Sequence, residues 1–496
     1  MGSDSGGDGE AAVEATSRVS QFVAGLRVQD LPPEVLKRGR WLLLDTLGCA
    51  LGGATSELGS VALGLARISG GFPESTLLGA GERTGVLTAA AANGRMAGAL
   101  DGDDTFPSAG QTSHHAISAV AAALALCERR GTGGGELLVS LLAGYEVAAR
   151  FGIAVAPDPR EAVPEQSTKW RVGGGPAGVL AAAAASARAI GLDAEGVAHT
   201  LGIAGAHVDA PPLKWLSAPV APMVKSLDGG WNAATGVTSA LMAQMGMTGH
   251  EAILDGEAGL WRATGYARFD PQVLVEGLGQ RWRVLDGCFK RWPCQYWMQQ
   301  PLTALWKLLR EDPLPPREIE RVILKTNPRS SSPRSRDKHP VGAVTCEFNL
   351  PHAAAMLAHG VPPGPRWYGR WALTSPEVAA FRERVEVEVE PAAQDVFAGI
   401  EDGMIKRLPA SCEVRARGRS FTARAESALG TPWSPELALT EEDLKAKFRE
   451  MADPLAEASN LWQERLESIM SAVLEVDRMP DVRQLGRLLA YPSPIA

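Results

Sequence analysis

Three short segments of this chain put acids, bases and cations where chemistry could be done. The first, DGDDTFPSAGQTSHHA from Asp101 to Ala116, holds three carboxylates, a threonine hydroxyl and two histidines within sixteen residues. Pro107 and Gly110 mark it as a loop, and the helix expected after it offers an N-terminus that favours an anion. A solvated acidic loop with a helix cap would have the same composition. A metal site is a third reading, since carboxylate and imidazole are ligand types, but the spacing fits no zinc or calcium pattern. The second segment, VKSLDGGWNAATG at 224–236, sets Lys225 among apolar and small residues just before a helix. Such a lysine either snorkels to the surface or aims its ammonium into a cleft. The third, CFKRWPCQYW at 288–297, places Lys290 and Arg291 beside aromatics and Pro293. A surface turn with a cation stacked on Trp292 is its plainer explanation. Lysine is scarce, 11 of the 49 basic residues, so a lysine inside an apolar motif carries more weight than usual. The cationic segments and the carboxylate-histidine loop become a site only if the fold brings them together.

The elements that would do so are mostly helices. From Leu31 to about Ile253 the chain reads as one helix after another. Pro32-Pro33 opens a segment in which Val35, Leu36, Leu42, Leu43, Leu47 and Leu51 keep an apolar face at helical spacing. Alanine-rich stretches follow at 88–100, 116–127, 137–150, 176–190 and 231–245, and small residues at that density predict closely packed helices. After about Trp282 the texture changes. IERVILKT at 319–326 is strand-like, RVEVEVE at 384–390 alternates strictly, and CEVRARGRSFTAR at 412–424 predicts two strands turning at Gly418. With a helix at 352–359, this predicts an α+β unit with an antiparallel sheet. TEEDLKAKF from Thr440 carries a helix start signal, after which the periodicity is helical again. The expected fold is therefore mainly α. A disordered tail spans 1–16, a large helical domain 17–285, an inserted α+β lid domain 286–428, and 429–496 returns as helices to the first domain.

A chain of 496 residues is long enough for two such domains. Its 57 acidic against 49 basic residues, a formal charge of -8, argues against nucleic acid or anionic membrane as a partner. Six scattered cysteines without a CxxC pair suggest reduced thiols in a cytoplasmic protein. The acidic, glycine-rich start MGSDSGGDGE has no apolar core of a leader peptide. GTGGGE at 131–136 and VGGGPAG at 172–178 follow no predicted strand and lack the lysine and hydroxyl of a phosphate loop. They are expected to be helix connectors, and no cofactor is called for.

LPPEVLKRGRWLLLDTLGCALGG (31–53), ALDGDDT (99–105), VKSLDGGWNAATG, FKRWPCQ (289–295) and EFNLPHAAAMLAHG (347–360) resemble, in order, the landmarks of the MmgE/PrpD family. That family includes 2-methylcitrate dehydratase, cis-aconitate decarboxylase and an iminodisuccinate epimerase. The resemblance covers nearly the whole chain after residue 17. It implies a cofactor-free, metal-independent homodimer with a helical domain and a lid. By motif, Asp101 and Thr105 match the active-site loop, His114 its histidine, and Lys225 and Lys290 two pocket lysines. Asp104 and Arg291 join them as substrate contacts, and His115 stands where the family usually has proline. Three positions depart from the family pattern: histidines expected there are Gln295, Val172 and Asp228 here. The loss of two candidate proton donors at Val172 and Gln295 implies a specialised member, acting in secondary metabolism on a less charged or bulkier acid. The reaction expected on this resemblance is dehydration of a hydroxy acid, with decarboxylation or epimerisation of a related carboxylate as alternatives. A non-catalytic binding protein on the same fold is the rival reading. In the expected mechanism His114 transfers the proton, Asp101 orients it, Thr105 hydrogen-bonds the substrate, and Lys225 and Lys290 hold its carboxylate.

Overall fold

The chain enters its helical part earlier than its composition suggests. Helix α1 (Ala15–Gly25) begins inside the stretch assigned to the tail. Ala15 and Thr16 are buried, and their backbone N–H groups donate to the Asp255 carboxylate at 2.6 and 3.1 Å. A carboxylate at a helix N-terminus satisfies orphan donors that the sequence near residue 15 gives no hint of capping. The computed structural model describes residues 14–110, 112–156, 175–208, 218–224, 229–458 and 460–490. Val172, Lys225 and Asp228 lie outside these described residues.

The molecule is mainly α, as its periodicity predicts. Helix α2 (Pro33–Ala54) starts on Pro33, whose missing N–H costs nothing in a first turn, and it buries Val35, Leu42, Leu43, Leu47 and Leu51. Helices α3 (Glu57–Ser69), α4 (Val86–Ala97), α5 (Ala116–Arg130) and α6 (Gly134–Ala154) follow, then helices Gly175–Ile190, Ala194–Ala206 and Gly229–Gln244. Small side chains let α5, α6 and Gly175–Ile190 pack together in the centre, buried on nearly every side. Helix α6 is long and apolar enough to cross a membrane, yet its apolar stretch lies wholly within this core.

The β structure is sparse and local. Strands β1 (Ser75–Leu77) and β2 (Glu82–Thr84) form a hairpin. Strands β3 (Asp104–Pro107), β4 (Thr112–Ser113) and β5 (Cys288–Phe289) form a three-stranded sheet in the order β4-β3-β5. The segment read as a loop from its Pro and Gly is thus partly a strand, because β5, from far along the chain, completes its backbone hydrogen bonding. Farther on, β6 (Ile319–Thr326) and β7 (Val385–Val389) appear where alternation predicts them, with the helix Leu350–Ala358 between. A small hairpin, β8 (Ile400–Glu401) and β9 (Met404–Ile405), precedes β10 (Ala410–Ala416) and β11 (Arg419–Ala425). The turn between the last two carries Arg417 at φ 54° and Gly418 at φ 67°, a left-handed pair that suits a tight hairpin.

The sheet of order β11-β10-β6-β7 departs from expectation in one respect. Its first three strands are antiparallel, but β7 pairs parallel to β6, from Val322↔Val385 to Thr326↔Val389. A parallel return needs a long crossover, and the helices between β6 and β7 supply one. Alternation within RVEVEVE marks a strand but says nothing of its direction.

The helix Glu441–Ala458 begins at a reciprocal cap: Thr440 Oγ1 accepts from the Asp443 N–H, and the Asp443 carboxylate accepts from the Thr440 N–H at 2.8 Å. It then lies against α2 so closely that a β-carbon on Gly48 would stand 2.9 Å from Phe448 Cδ2, and one on Gly52 2.6 Å from the Met451 carbonyl oxygen. The latter neighbour is backbone and cannot rotate away. Gly52→Ala is therefore expected to cost about 1–3 kcal/mol as an overpacking change, read from urea denaturation; an unchanged midpoint would show that the two helices separate freely.

Candidate functional site

The pairing of β3 with β5 creates the site. Asp104 lies opposite Phe289 and Thr105 opposite Cys288. This register sets Lys290, the residue after β5, beside Asp101 and Asp103, which precede β3. The two segments come together across 189 residues of sequence.

Lys290 is 1 % exposed. Its ammonium donates to Asp101 Oδ1 at 2.7 Å and reaches Asp103 Oδ1 at 3.4 Å. Asp103 turns its other oxygen to His114, whose Nδ1 lies 2.7 Å from Oδ2. The same Nδ1 is 2.6 Å from the Asp104 backbone carbonyl. Two acceptors against one ring nitrogen require that it carry the proton, which leaves Nε2 as the atom free to exchange one with a substrate. Asp101 holds its carboxylate in place from a left-handed backbone, φ 54°, which a short polar side chain tolerates better than most.

The charges of the four groups are mutually dependent. For Asp103, burial alone would raise the pKa, but the His114 and Lys290 charges prevail and hold it well below the usual carboxylate range. For His114, burial would lower the pKa, and the Asp103 carboxylate overcomes this and raises it. Lys290 likewise loses stability as a cation by burial and regains more from Asp101 and Asp103, so its pKa stands above the ordinary lysine value. The arrangement sets two carboxyl groups against an ammonium and an imidazole that holds its proton to higher pH than usual.

Asp101, Asp103 and His114 each also present an atom within 4.8 Å of the others, a grouping that could hold a metal ion. The Lys290 ammonium already supplies the compensating charge there, bonded to one of these carboxylates and within ion-pair distance of the other.

The remaining predicted residues divide. Thr105 is fully buried, and among the described residues its hydroxyl has no hydrogen-bond partner. Asp104 faces the other way: Oδ1 accepts from the Ala116 N–H at the start of α5, 3.1 Å. Burial, then the Asp103 charge, push its pKa up to about 7. Tyr145 lies close enough to couple electrostatically to the Asp104 carboxyl. His115 is wholly buried, edge-on to the Tyr145 ring at 5.1 Å, and burial followed by the His114 charge brings its pKa down to about 3. It is a neutral packing residue, and His114, with a side chain 9 % exposed, is the histidine of the cluster. Arg291 stands outside it, since Glu450 takes up its guanidinium in two hydrogen bonds of 2.7 and 2.9 Å. Gln295 is half-buried five residues beyond Lys290, its N–H donating to the Glu347 carbonyl at 3.0 Å.

Asp103 is the member that motif reasoning passed over, although it stands inside DGDDT. Its signal was present in the alternation of Asp101 and Asp103 about a glycine, which allows both carboxylates to face one cation. A cavity of about 520 Å³ elsewhere is lined by Ile153, Arg268, Arg281, Arg283 and Asp402 among others, none of them from this cluster.

The chain is similar to known proteins over nearly its whole length. The chain is 28% identical over 492 residues to the cis-aconitate decarboxylase of Homo sapiens, covering 97% of this chain and 95% of that one. It is 26% identical over 501 residues to the Mus musculus protein of the same name, covering 96% and 94%. With the cis-aconitate decarboxylase of Aspergillus terreus (strain NIH 2624 / FGSC A1156) the identity is 25% over 515 residues, covering 98% and 99%. Full-length likeness to three lyases supports a lyase-type function. The MmgE/PrpD N-terminal domain matches residues 17–271 and the MmgE/PrpD C-terminal domain residues 292–475, so this chain belongs to the MmgE/PrpD family.

Proposed function

We propose that this chain is a cofactor-independent lyase that forms a carbanion beside a substrate carboxylate and protonates it from His114, and that the reaction is decarboxylation. The observation that carries this reading is the Asp103–His114 ion pair, with the proton on Nδ1 fixed by two acceptors. In decarboxylation the bond to the departing carboxylate breaks, its electron pair stays on carbon, and carbon dioxide leaves. One acid must then return a proton, and an imidazolium held charged by Asp103 is such an acid. Lys290 stabilises the negative charge that develops, and Thr105, with an unsatisfied buried hydroxyl, hydrogen-bonds the substrate. Lys225 remains a second cation for the carboxylate, assigned from its motif. The names of the full-length relatives support decarboxylation over the dehydration that the motifs suggest. Val172 and Gln295, in place of histidines, support a substrate other than the relatives' own.

Dehydration stays as a second reading because of Asp101. It is the more exposed carboxylate of the pair, with 12% of its side chain accessible against 3% for Asp103. It could accept an α-proton while His114 protonates a departing hydroxyl. A homodimer is part of the proposal, supported by exposed apolar side chains such as Ile68, Phe72 and Met245.

Incubation with candidate unsaturated and hydroxy carboxylates, followed by mass spectrometry, decides between the reactions, since one releases carbon dioxide and the other water. Lys290→Met is expected to lower turnover by well over tenfold, because a lost charge-stabilising donor costs about 3–4 kcal/mol of barrier. Full activity in a folded Lys290→Met protein would place the charge stabilisation elsewhere.

The pH dependence follows from the direction of the His114 shift. A raised pKa keeps the acid protonated above the ordinary imidazole value of 6.5, and activity falls as pH rises through the shifted value. Asp103→Asn removes the charge that raises it, so the alkaline limb of the kcat/KM profile is expected to move to lower pH. A limb that stays put would mean that another group supplies the proton.

With Lys290 as counter-ion, treatment with EDTA is expected to leave turnover unchanged. Loss of activity on chelation, restored by a divalent ion, would identify Asp101, Asp103 and His114 as ligands.

A further inference from the structure

A second buried lysine lies beneath the site. Lys447, on the helix Glu441–Ala458, is 1 % exposed. Its ammonium stands 2.5 Å from Asp45 Oδ1 on α2 and donates to the Gly102 carbonyl at 2.6 Å. Gly102 is the residue between Asp101 and Asp103. Holding its carbonyl fixes the peptide plane between Gly102 and Asp103, in the middle of the turn that carries both carboxylates toward Lys290. Met451, one turn farther along the same helix, closes over Gly102, where a β-carbon would come within 2.2 Å of its terminal methyl.

The opposite side of the site is held from α2, the helix that carries Asp45. Arg38, two turns before Asp45 on α2, donates to the Val284 carbonyl at 3.3 Å and to the Gly287 carbonyl, and its guanidinium lies 4.2 Å from the centre of the Phe289 ring. One face of α2 thus anchors the approach to Lys290 directly, through Arg38. It anchors the Asp101–Asp103 turn indirectly, through Asp45 and Lys447.

We propose that Lys447, held by Asp45, is a positioning residue of this enzyme: it sets the Asp101–Gly102–Asp103 turn so that Lys290 bridges the two carboxylates and Asp103 meets His114. The inference rests on the lyase reading for its effect on turnover, but not for its effect on the Asp103–His114 pair. Misplacement of reacting groups by about 1 Å can cost about a hundredfold in rate. A role confined to stability would leave both the rate per folded molecule and the state of His114 unchanged.

The test uses the full-length protein with the double substitution Lys447→Met and Asp45→Asn. Removing both partners avoids stranding one buried charge. Two quantities are read at a temperature where the variant is folded. One is the split between kcat and KM; the other is the downfield imidazole N–H proton resonance of His114 by NMR, taken without substrate. The expected result is a fall of about tenfold or more in kcat with KM changed by less than about threefold, together with a displaced or broadened resonance. Lys447→Arg serves as a second variant that keeps the buried charge in balance but moves the donor, since guanidinium N–H groups lie farther out in a planar fork. It is expected to show the same change in smaller degree, and it carries the test if the double variant does not fold. Wild-type kcat and an unmoved resonance in either folded variant would overturn the proposal. If the wild-type chain turns over no carboxylate at all, the lyase reading fails, while the resonance still decides whether Lys447 sets the pair.

Discussion

The structure depends on placing the Lys290 ammonium out of water. A charged group of that size loses several kcal/mol of solvation on burial, and the loss is tolerable only with close, well-oriented counter-charges. One carboxylate would satisfy the charge of Lys290 and leave nothing for His114. Two carboxylates with one cation would leave a net negative charge in a dry place. In the observed set of Asp101, Asp103, Lys290 and His114, burial opposes charge at Asp103, His114 and Lys290, and the opposite charges within the set overcome it at each. The Lys290 charge by itself lowers the proton affinity of His114, and the Asp103 carboxylate overcomes both that and burial.

Such balance constrains the topology. The acids and the histidine lie in one stretch of chain and the ammonium 189 residues away from Asp101. Side-chain attraction alone would not fix their register, but the backbone pairing of β3 with β5 does, through hydrogen bonds that cannot slip without exposing buried polar groups. Helix α2 and the helix Glu441–Ala458 then close beneath the loop, at an approach that only Gly48 and Gly52 permit. Late chain therefore completes an early site, which accounts for a family resemblance running almost from end to end.

Much of this was legible in the sequence, for reasons that also mark where legibility ends. Helical periodicity located α2 and the alanine-rich helices, strict alternation located β6 and β7, and a Thr-x-x-Asp cap located the start of the Glu441–Ala458 helix, because each is a local signal. The DGDDT loop and Lys290 were visible as chemistry. Their division of labour was not. Which aspartate meets His114 is a matter of the turn's backbone, left-handed at Asp101, and not of residue type. The parallel direction of β7, the capping of α1 by Asp255 and the Lys447–Asp45 pair all join residues far apart in sequence. Lys447 in particular stands two residues from Lys445 on one helix, and residue type does not tell the buried lysine from the half-buried one that pairs with Glu442.

His114 and His115 show how little residue type decides. They are neighbours with the same side chain, yet their proton affinities are shifted in opposite directions. His115 is enclosed by Tyr145 and Phe106 with no carboxylate paired to its ring among the described residues, so burial makes it neutral. His114 meets the same desolvation with Asp103 at 2.7 Å, and there the counter-charge prevails. The comparison isolates the cause, since chain position and residue type are held nearly constant and only the partner differs. Two adjacent histidines in a motif thus amount to one acid and one piece of packing, and Asp103, the residue just before β3, determines which is which.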